Sequence, residues 1–386
     1  MKNSSYDLMR LLFGWLRIVC IAGLIGCDGS RSSVHLFSEE NVPKKLSDWQ
    51  LLELQKGALS PSDRVVPYDL NTGLFTDYAH KLRTIWLPEG TPAIYAEDQF
   101  DYPVGTILSK TFYYPKNRSG AVLRTDDFSK DYIKGYFGRV LSLDRIRLVE
   151  TRLLVKRKTG WQALPYVWNK EQTEATLEIA GDAKKFKLVG HDGQRQALTY
   201  VVPDANQCAG CHADNFTEKA ISPLGPRARH LNKDYPYLTG VENQLLYWQK
   251  SGYLRGVPQL DSLPKNASIY DEAVSLDDRA RAYLDINCGH CHNPKGAADT
   301  SGLMLHGGEL DWRKLGLCKP PIAAGAGSGG RLFAIVPGDP ENSILNFRVE
   351  STAPEAMMPE LGRSIVHVEG VELLKQWVSS LPGSCT

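Results

Sequence analysis

Two pentapeptides of one pattern, Cys208-Ala209-Gly210-Cys211-His212 and Cys288-Gly289-His290-Cys291-His292, constrain this chain more than any other feature. Cysteines three residues apart on a helical turn bring both thiols to one side, and the adjoining histidine turns its imidazole toward whatever they hold. The pattern is that of covalent haem attachment. Each thiol adds to a vinyl group as a thioether, and the histidine becomes the proximal ligand of the iron. Eight cysteines and nine histidines in 386 residues would produce such a pentad by chance on the order of 0.004 times per chain, so two are not accidental. Zinc is the competing reading, but paired Cys-x-x-Cys ligands usually lie about 15–20 residues apart. Cys211 and Cys288 are far more widely spaced, and zinc leaves the histidine after each pair unexplained. A thioredoxin-like redox pair would occur once, near a βαβ pattern that is missing here. The expected cofactors are two covalently bound haem c groups, one on Cys208, Cys211 and His212 and one on Cys288, Cys291 and His292.

The rest of the chain has the composition of an ordinary globular protein, 42% hydrophobic and 23% charged, and its length favours more than one domain. Forty-five Lys and Arg against 44 Asp and Glu leave a net charge of +1. That balance argues against a nucleic-acid partner or a polybasic membrane surface.

Residues 1–26 read as an export signal, with Lys2, Arg10 and Arg17 ahead of an uncharged stretch from Ile18 to Gly26. Its end, Leu24-Ile25-Gly26-Cys27, resembles a bacterial lipobox, so Cys27 is the expected site of lipidation and the acyl chains the expected contact with a bilayer. An uncleaved anchor helix is the alternative. Residues 27–42 then form a polar tether, and Asp28 after the lipidated cysteine resembles an inner-membrane retention signal. The expected location is the bacterial periplasm, lipid-anchored to the inner membrane. In that oxidising compartment unligated thiols pair, so Cys318 and Cys385 are expected to form a disulfide between a Gly-rich loop and the C-terminus.

Residues 43–202 are strand-like. The run Gly105–Tyr114 is β-branched and aromatic, Val149, Thr151, Leu153 and Val155 alternate with Glu150, Arg152, Leu154 and Lys156, and residues 186–202 read as a hairpin turning at His191-Asp192-Gly193. After Pro203 short helical stretches alternate with Gly and Pro loops. A helix is expected over 241–250 with Thr239 as its cap. Another runs from Ser275 to about Asn287 with Asp278 closing a capping box, and a last amphipathic one covers about 369–381. The expected fold is therefore multidomain α+β. It has a β-sandwich-like domain at 43–202, a first haem-binding segment at 203–274 and a mainly α-helical cytochrome c-like domain at 275–386.

The second pentad has a helix before it, a Gly-rich loop after it, then Met357-Met358-Pro359-Glu360-Leu361-Gly362 and a closing helix. This arrangement resembles a class I cytochrome c domain. The resemblance makes Met358, directly before proline, the distal ligand opposite His292, with Met357 as the alternative. The first pentad has no nearby methionine; His230 is the nearest downstream imidazole, and His191 and Met304 are further options. The chain as a whole is similar to the bacterial dihaem c-type cytochromes that carry a β-rich N-terminal domain. The similarity rests on Gly73–Arg83, Val149–Arg152, Tyr166–Asn169, Pro223–Pro226, the two pentads and Met358–Arg363. It implies electron transfer with an unidentified redox partner in the cell envelope and supplies no substrate. The alternative is a dihaem peroxidase-like oxidoreductase whose first iron is open to a small molecule.

Overall fold

The computed structural model describes residues 34–125, 140–213, 220–322 and 324–385. The expected export signal, Cys27 and the start of the tether lie outside these residues. Among the described residues no helix is long and apolar enough to cross a membrane.

The organising element is a six-stranded antiparallel sheet in the order Ala175–Leu177, Gly160–Trp168, Ile146–Arg157, Ile107–Pro115, His80–Trp86, Val66–Tyr68. Its central strand, Ile107–Pro115, is buried on both faces, with Lys110 the one residue short of full burial. This is why the run from Gly105 to Tyr114 is so rich in apolar and β-branched residues rather than cleanly alternating. The hairpin expected at 186–202 is present as Asp182–Val189 and Arg195–Val202, paired antiparallel from Asp182 opposite Val202 to Val189 opposite Arg195.

The expected sandwich followed by mainly α-helical cytochrome c-like domains is corrected by the structure, which is β-rich. Seventeen strands stand against six α-helices among the described residues. The helices are Ala205–His212 (α1), Ala228–Leu231 (α2), Gln244–Lys250 (α3), Leu276–Asn287 (α4), Ile344–Glu350 (α5) and Val368–Ser380 (α6). Proline and glycine punctuate the sequence after 203 and stop helices after one to three turns. Strands continue there too: Asp234–Tyr237 pairs with Gly240–Asn243, and Leu254–Arg255 pairs in parallel with Ala93–Ala96. The first of these hairpins takes the residues expected to begin a helix at 241. The helix starts one turn later, capped by the Asn243 side chain on the Leu245 amide at 3.0 Å.

Packing also crosses residue 203. Val66, Tyr68, Ile85 and Leu108 of the large sheet share one core with Leu231, Leu245, Trp248 and Ile286. The sheet is therefore covered by the later half of the chain, and the described residues form one contact unit. A separate cluster joins α4 to α6 through Ala280, Tyr283, Leu284, Leu374, Trp377 and Val378. Gly370 is needed at this crossing, because a Cβ there would lie 2.5 Å from the Tyr283 ring carbon Cζ. Ser275 caps α4, its Oγ accepting from the Asp278 amide at 3.1 Å as the sequence suggests.

Candidate cofactor-attachment site

The first pentad ends a helix that sequence periodicity does not announce. Asp204 caps α1: its carboxylate accepts from the Gln207 amide at 2.8 Å, and the Gln207 side chain accepts from the Asp204 amide at 3.1 Å. The signal was available as Asp204-x-x-Gln207, a capping box. One turn later come Cys208, Cys211 and His212. The chain then returns so that Ser222 holds the histidine twice, its amide donating to the His212 carbonyl at 2.7 Å and its carbonyl facing His212 Nδ1 at 2.8 Å. A carbonyl only accepts, so Nδ1 carries the proton and Nε2 keeps its lone pair free.

The second pentad is the end of α4. Cys288 caps the helix, with its amide on the Leu284 carbonyl at 2.8 Å, and the His292 amide closes the next turn on the Cys288 carbonyl at 2.9 Å. Gly289 is required at this turn, since a Cβ would fall 2.7 Å from the Asp285 carbonyl oxygen and 2.9 Å from the His306 Cα. His292 faces the Leu303 carbonyl and has Ser301 Oγ at 3.4 Å from Nδ1.

The structure draws the two pentads together. A cavity of about 290 Å³ is lined by Cys208, Cys211 and His212 from the first, His290 from the second, and Met358 from the loop before α6. Cys211 is also close enough to Cys291 for its charge to act on that thiol. Burial pushes the Cys288 and Cys291 thiols up to about 12 and raises those of Cys208 and Cys211. His212 keeps some surface open to the cavity but is screened from bulk water. That desolvation, with Lys110 beside it, pushes its pKa down to about 3. His292 is held down to about 4, chiefly by burial. Both imidazoles are therefore neutral, the form that donates a lone pair. The four pentad thiols are unpaired, whereas Cys318 and Cys385 are joined by a disulfide across 67 residues.

Two cations complete the cavity wall, Lys110 and Arg152. Arg152 is forked onto Glu150 at 2.6 and 2.7 Å, and Tyr200 donates to the same carboxylate at 2.6 Å. Lys110 has no hydrogen bond or ion pair among the described residues. Desolvation, with Arg152 close by, pushes its pKa down to about 7.

The other candidates fall in different places. Met358 lines the cavity, and Met357 does not. The Met358 loop is tied down by Arg363, which donates to the Met358 and Ser351 carbonyls at 2.8 Å each, and by the Met358 amide on the Arg348 carbonyl at 3.0 Å. Arg348 acts electrostatically on His292. His230 is 2% exposed and engaged elsewhere, with Nδ1 at 3.3 Å from Asn266 and Nε2 at 3.6 Å from Asp285, and it is not on the cavity wall. His191 is exposed in its hairpin turn, and Met304 sits in the loop after the second pentad. Among the described residues no three His, Cys, Asp or Glu side chains converge as an all-protein metal cage.

This site brings two neutral thiols, the fixed-tautomer imidazole of His212, a second imidazole, a thioether and two cationic side chains to one desolvated space. It is equipped to anchor an electrophilic planar group covalently and to coordinate a metal at its centre. Comparison with protein-family models, curated proteins and solved structures returns no match.

Proposed function

We propose that the chain is a dihaem c-type cytochrome that transfers electrons in the bacterial cell envelope, tethered to the inner membrane by lipid on Cys27. The observation that carries this reading is the geometry of His212. A Cys-x-x-Cys-His pentad whose histidine has Nδ1 committed to a backbone carbonyl and Nε2 left free is prepared for axial ligation. The residues fit the group. Cys208 and Cys211 would take the first haem and Cys288 and Cys291 the second, with His212 and His292 as proximal ligands. Lys110, without a counter-ion, and Arg152 suit the carboxylates that a haem carries. A zinc reading needs the four thiols to converge on one ion, and no such group occurs among the described residues. When bound, haem iron supplies reversible one-electron chemistry. The polypeptide sets its ligands, excludes water and fixes the distance between the two groups.

Protein produced with a c-type maturation system should stain for haem on a denaturing gel. Changing Cys208 and Cys211 to Ala should remove one haem of two, and changing Cys288 and Cys291 the other. Pigment that extracts fully into acidified organic solvent would rule out covalent attachment.

Met358 is assigned to the iron held by His292, because its loop is fastened to Arg348, whose charge reaches that histidine. Met358→Ala should abolish the ferric sulfur-to-iron charge-transfer band and lower the potential of one haem, because a thioether favours ferrous iron. Met357→Ala should leave the band in place. The reverse pattern would exchange the roles of the two methionines.

A further inference from the structure

His290 stands between the cysteines of the second pentad, yet it lines the cavity with Cys208, Cys211 and His212 of the first. Its Nδ1 is buried, and the ring's one polar neighbour is the Ile286 backbone, too poorly aligned to satisfy that nitrogen. A buried polar nitrogen that is poorly satisfied is costly, so a group that fills the cavity and binds this ring would recover part of that cost. The ring is close enough to His212 for the two side chains to interact electrostatically. The cavity thus presents two imidazoles, one on the thiol-bearing turn of the first pentad and one on the turn of the second.

We propose that His290 is the distal ligand of the iron whose proximal ligand is His212, an assignment that rests on the haem reading above. The bond is a donation of the imidazole lone pair to iron, with no change in oxidation state and no proton released from the ring. Met358 is the rival on the same wall, but its loop is pinned to Arg348, whose charge also reaches His292, and its sulfur is not a buried polar group left to be satisfied. The assignment has a functional corollary. A bis-imidazole first iron has no free position for a small molecule, which argues against the peroxidase-like alternative. His290 also adjoins Cys291 and lies two residues from Cys288, so a ligand of the first haem would be joined through a short stretch of backbone to the thioethers of the second.

The test uses the matured protein in the ferric state, with haem content from the pyridine haemochrome and ligation from electron paramagnetic resonance and near-infrared magnetic circular dichroism. Wild-type protein should show one bis-imidazole and one imidazole–thioether haem, with no high-spin iron. His290→Ala should turn half of the haem high-spin, and added imidazole should restore it. His290→Met should convert the bis-imidazole signal into a second thioether signal. Two covalent haems with one high-spin centre in the wild type, or a fully low-spin His290→Ala protein retaining both haems, would overturn the assignment. Should the variants fail to fold, the wild-type spectrum decides alone. A protein without covalent haem overturns the underlying cytochrome reading instead, and the gel stain distinguishes that outcome.

Discussion

Asp285→Ala should cost about 3–5 kcal/mol of folding stability, measured by urea unfolding. Asp285 is 5% exposed at the last turn of α4. Its carboxylate accepts from Arg229 Nε at 2.7 Å and Nη2 at 3.0 Å, from Asn266 at 2.8 Å and from the Gly307 amide at 2.7 Å. Arg229 reaches on to Asp98, so one network ties the turn between Ala93–Ala96 and Gln99–Asp101, α2, α4 and the loop after the second pentad. Removing the carboxylate strands a half-desolvated guanidinium and a backbone amide, and the stranded groups account for most of the cost. Asp285→Asn, which keeps an acceptor, should lose less. A loss under about 1 kcal/mol for the alanine variant would mean that Asp98 and water replace the carboxylate.

The same network fixes an acid response. Burial alone would raise the Asp285 carboxyl, but the Arg229 hydrogen bonds and the neighbouring charges outweigh it and hold the group at about 2. The folded pKa is below the unfolded one. Its contribution is therefore complete above about pH 4 and disappears between about pH 4 and 2, amounting to about 2 kcal/mol. His230, pushed down to about 4 chiefly by burial, acts over a higher window. The unfolded chain takes up its proton first, so stability falls as pH drops from about 6.5 to 4. Asp285→Ala should remove the lower stage of the profile.

Glu150→Ala should be comparably severe, at about 3–5 kcal/mol. Glu150 has no exposed surface and is the anion for Arg152, with Lys110 and the partly shielded Lys81 nearby. Lys110, Lys81 and the Arg152 guanidinium all lie over the Phe112 ring, at 5.4, 5.5 and 4.5 Å from its centroid. Without the carboxylate these cations face one another in a desolvated space, and Lys110, already near neutrality, should lose its proton more readily. A double-mutant cycle with Arg152→Ala should show coupling of at least about 2 kcal/mol. Additive single effects would show that Arg152 finds another anion.

Local signals were read well where they were self-contained. Ser275 and Asp278 mark the start of α4, and Val371, Leu374, Trp377 and Val378 mark the buried side of α6. The hairpin around Asp192-Gly193 follows from its turn chemistry. Helix α1 was legible in Asp204 and Gln207 but is short and has no apolar face to give it periodicity. Gly240–Asn243 pairs as a strand because Asp234–Tyr237 is there to receive it, a tertiary effect that outweighs the local helical pattern. The mainly α-helical second half was an error of the same origin, because nothing local in Leu254-Arg255 reveals a partner at Ala93-Ile94. The two Cys-x-x-Cys-His pentads, and the attachment role proposed for them, are legible from spacing alone. That His290 of the second pentad lines a cavity with the first is not, because it depends on how distant segments pack.

The Asp77 carboxylate accepts from the Ser364 and Ile365 amides at 2.7 and 3.0 Å, and the Tyr78 hydroxyl donates to Glu369 at 2.7 Å. These links join residues separated by nearly the whole described chain, and they close the cavity wall between Leu74–Asp77 and Met358–His367. Such a wall does not exist until the last residues have been synthesised and folded back, and contacts of this separation form slowly. Throughout that interval the thiols of Cys208 and Cys211 stand in an unfinished, open trough. On the haem reading proposed above, covalent loading of the first pentad would have its window before closure, and a chain that closed early would shut off Cys208 and Cys211.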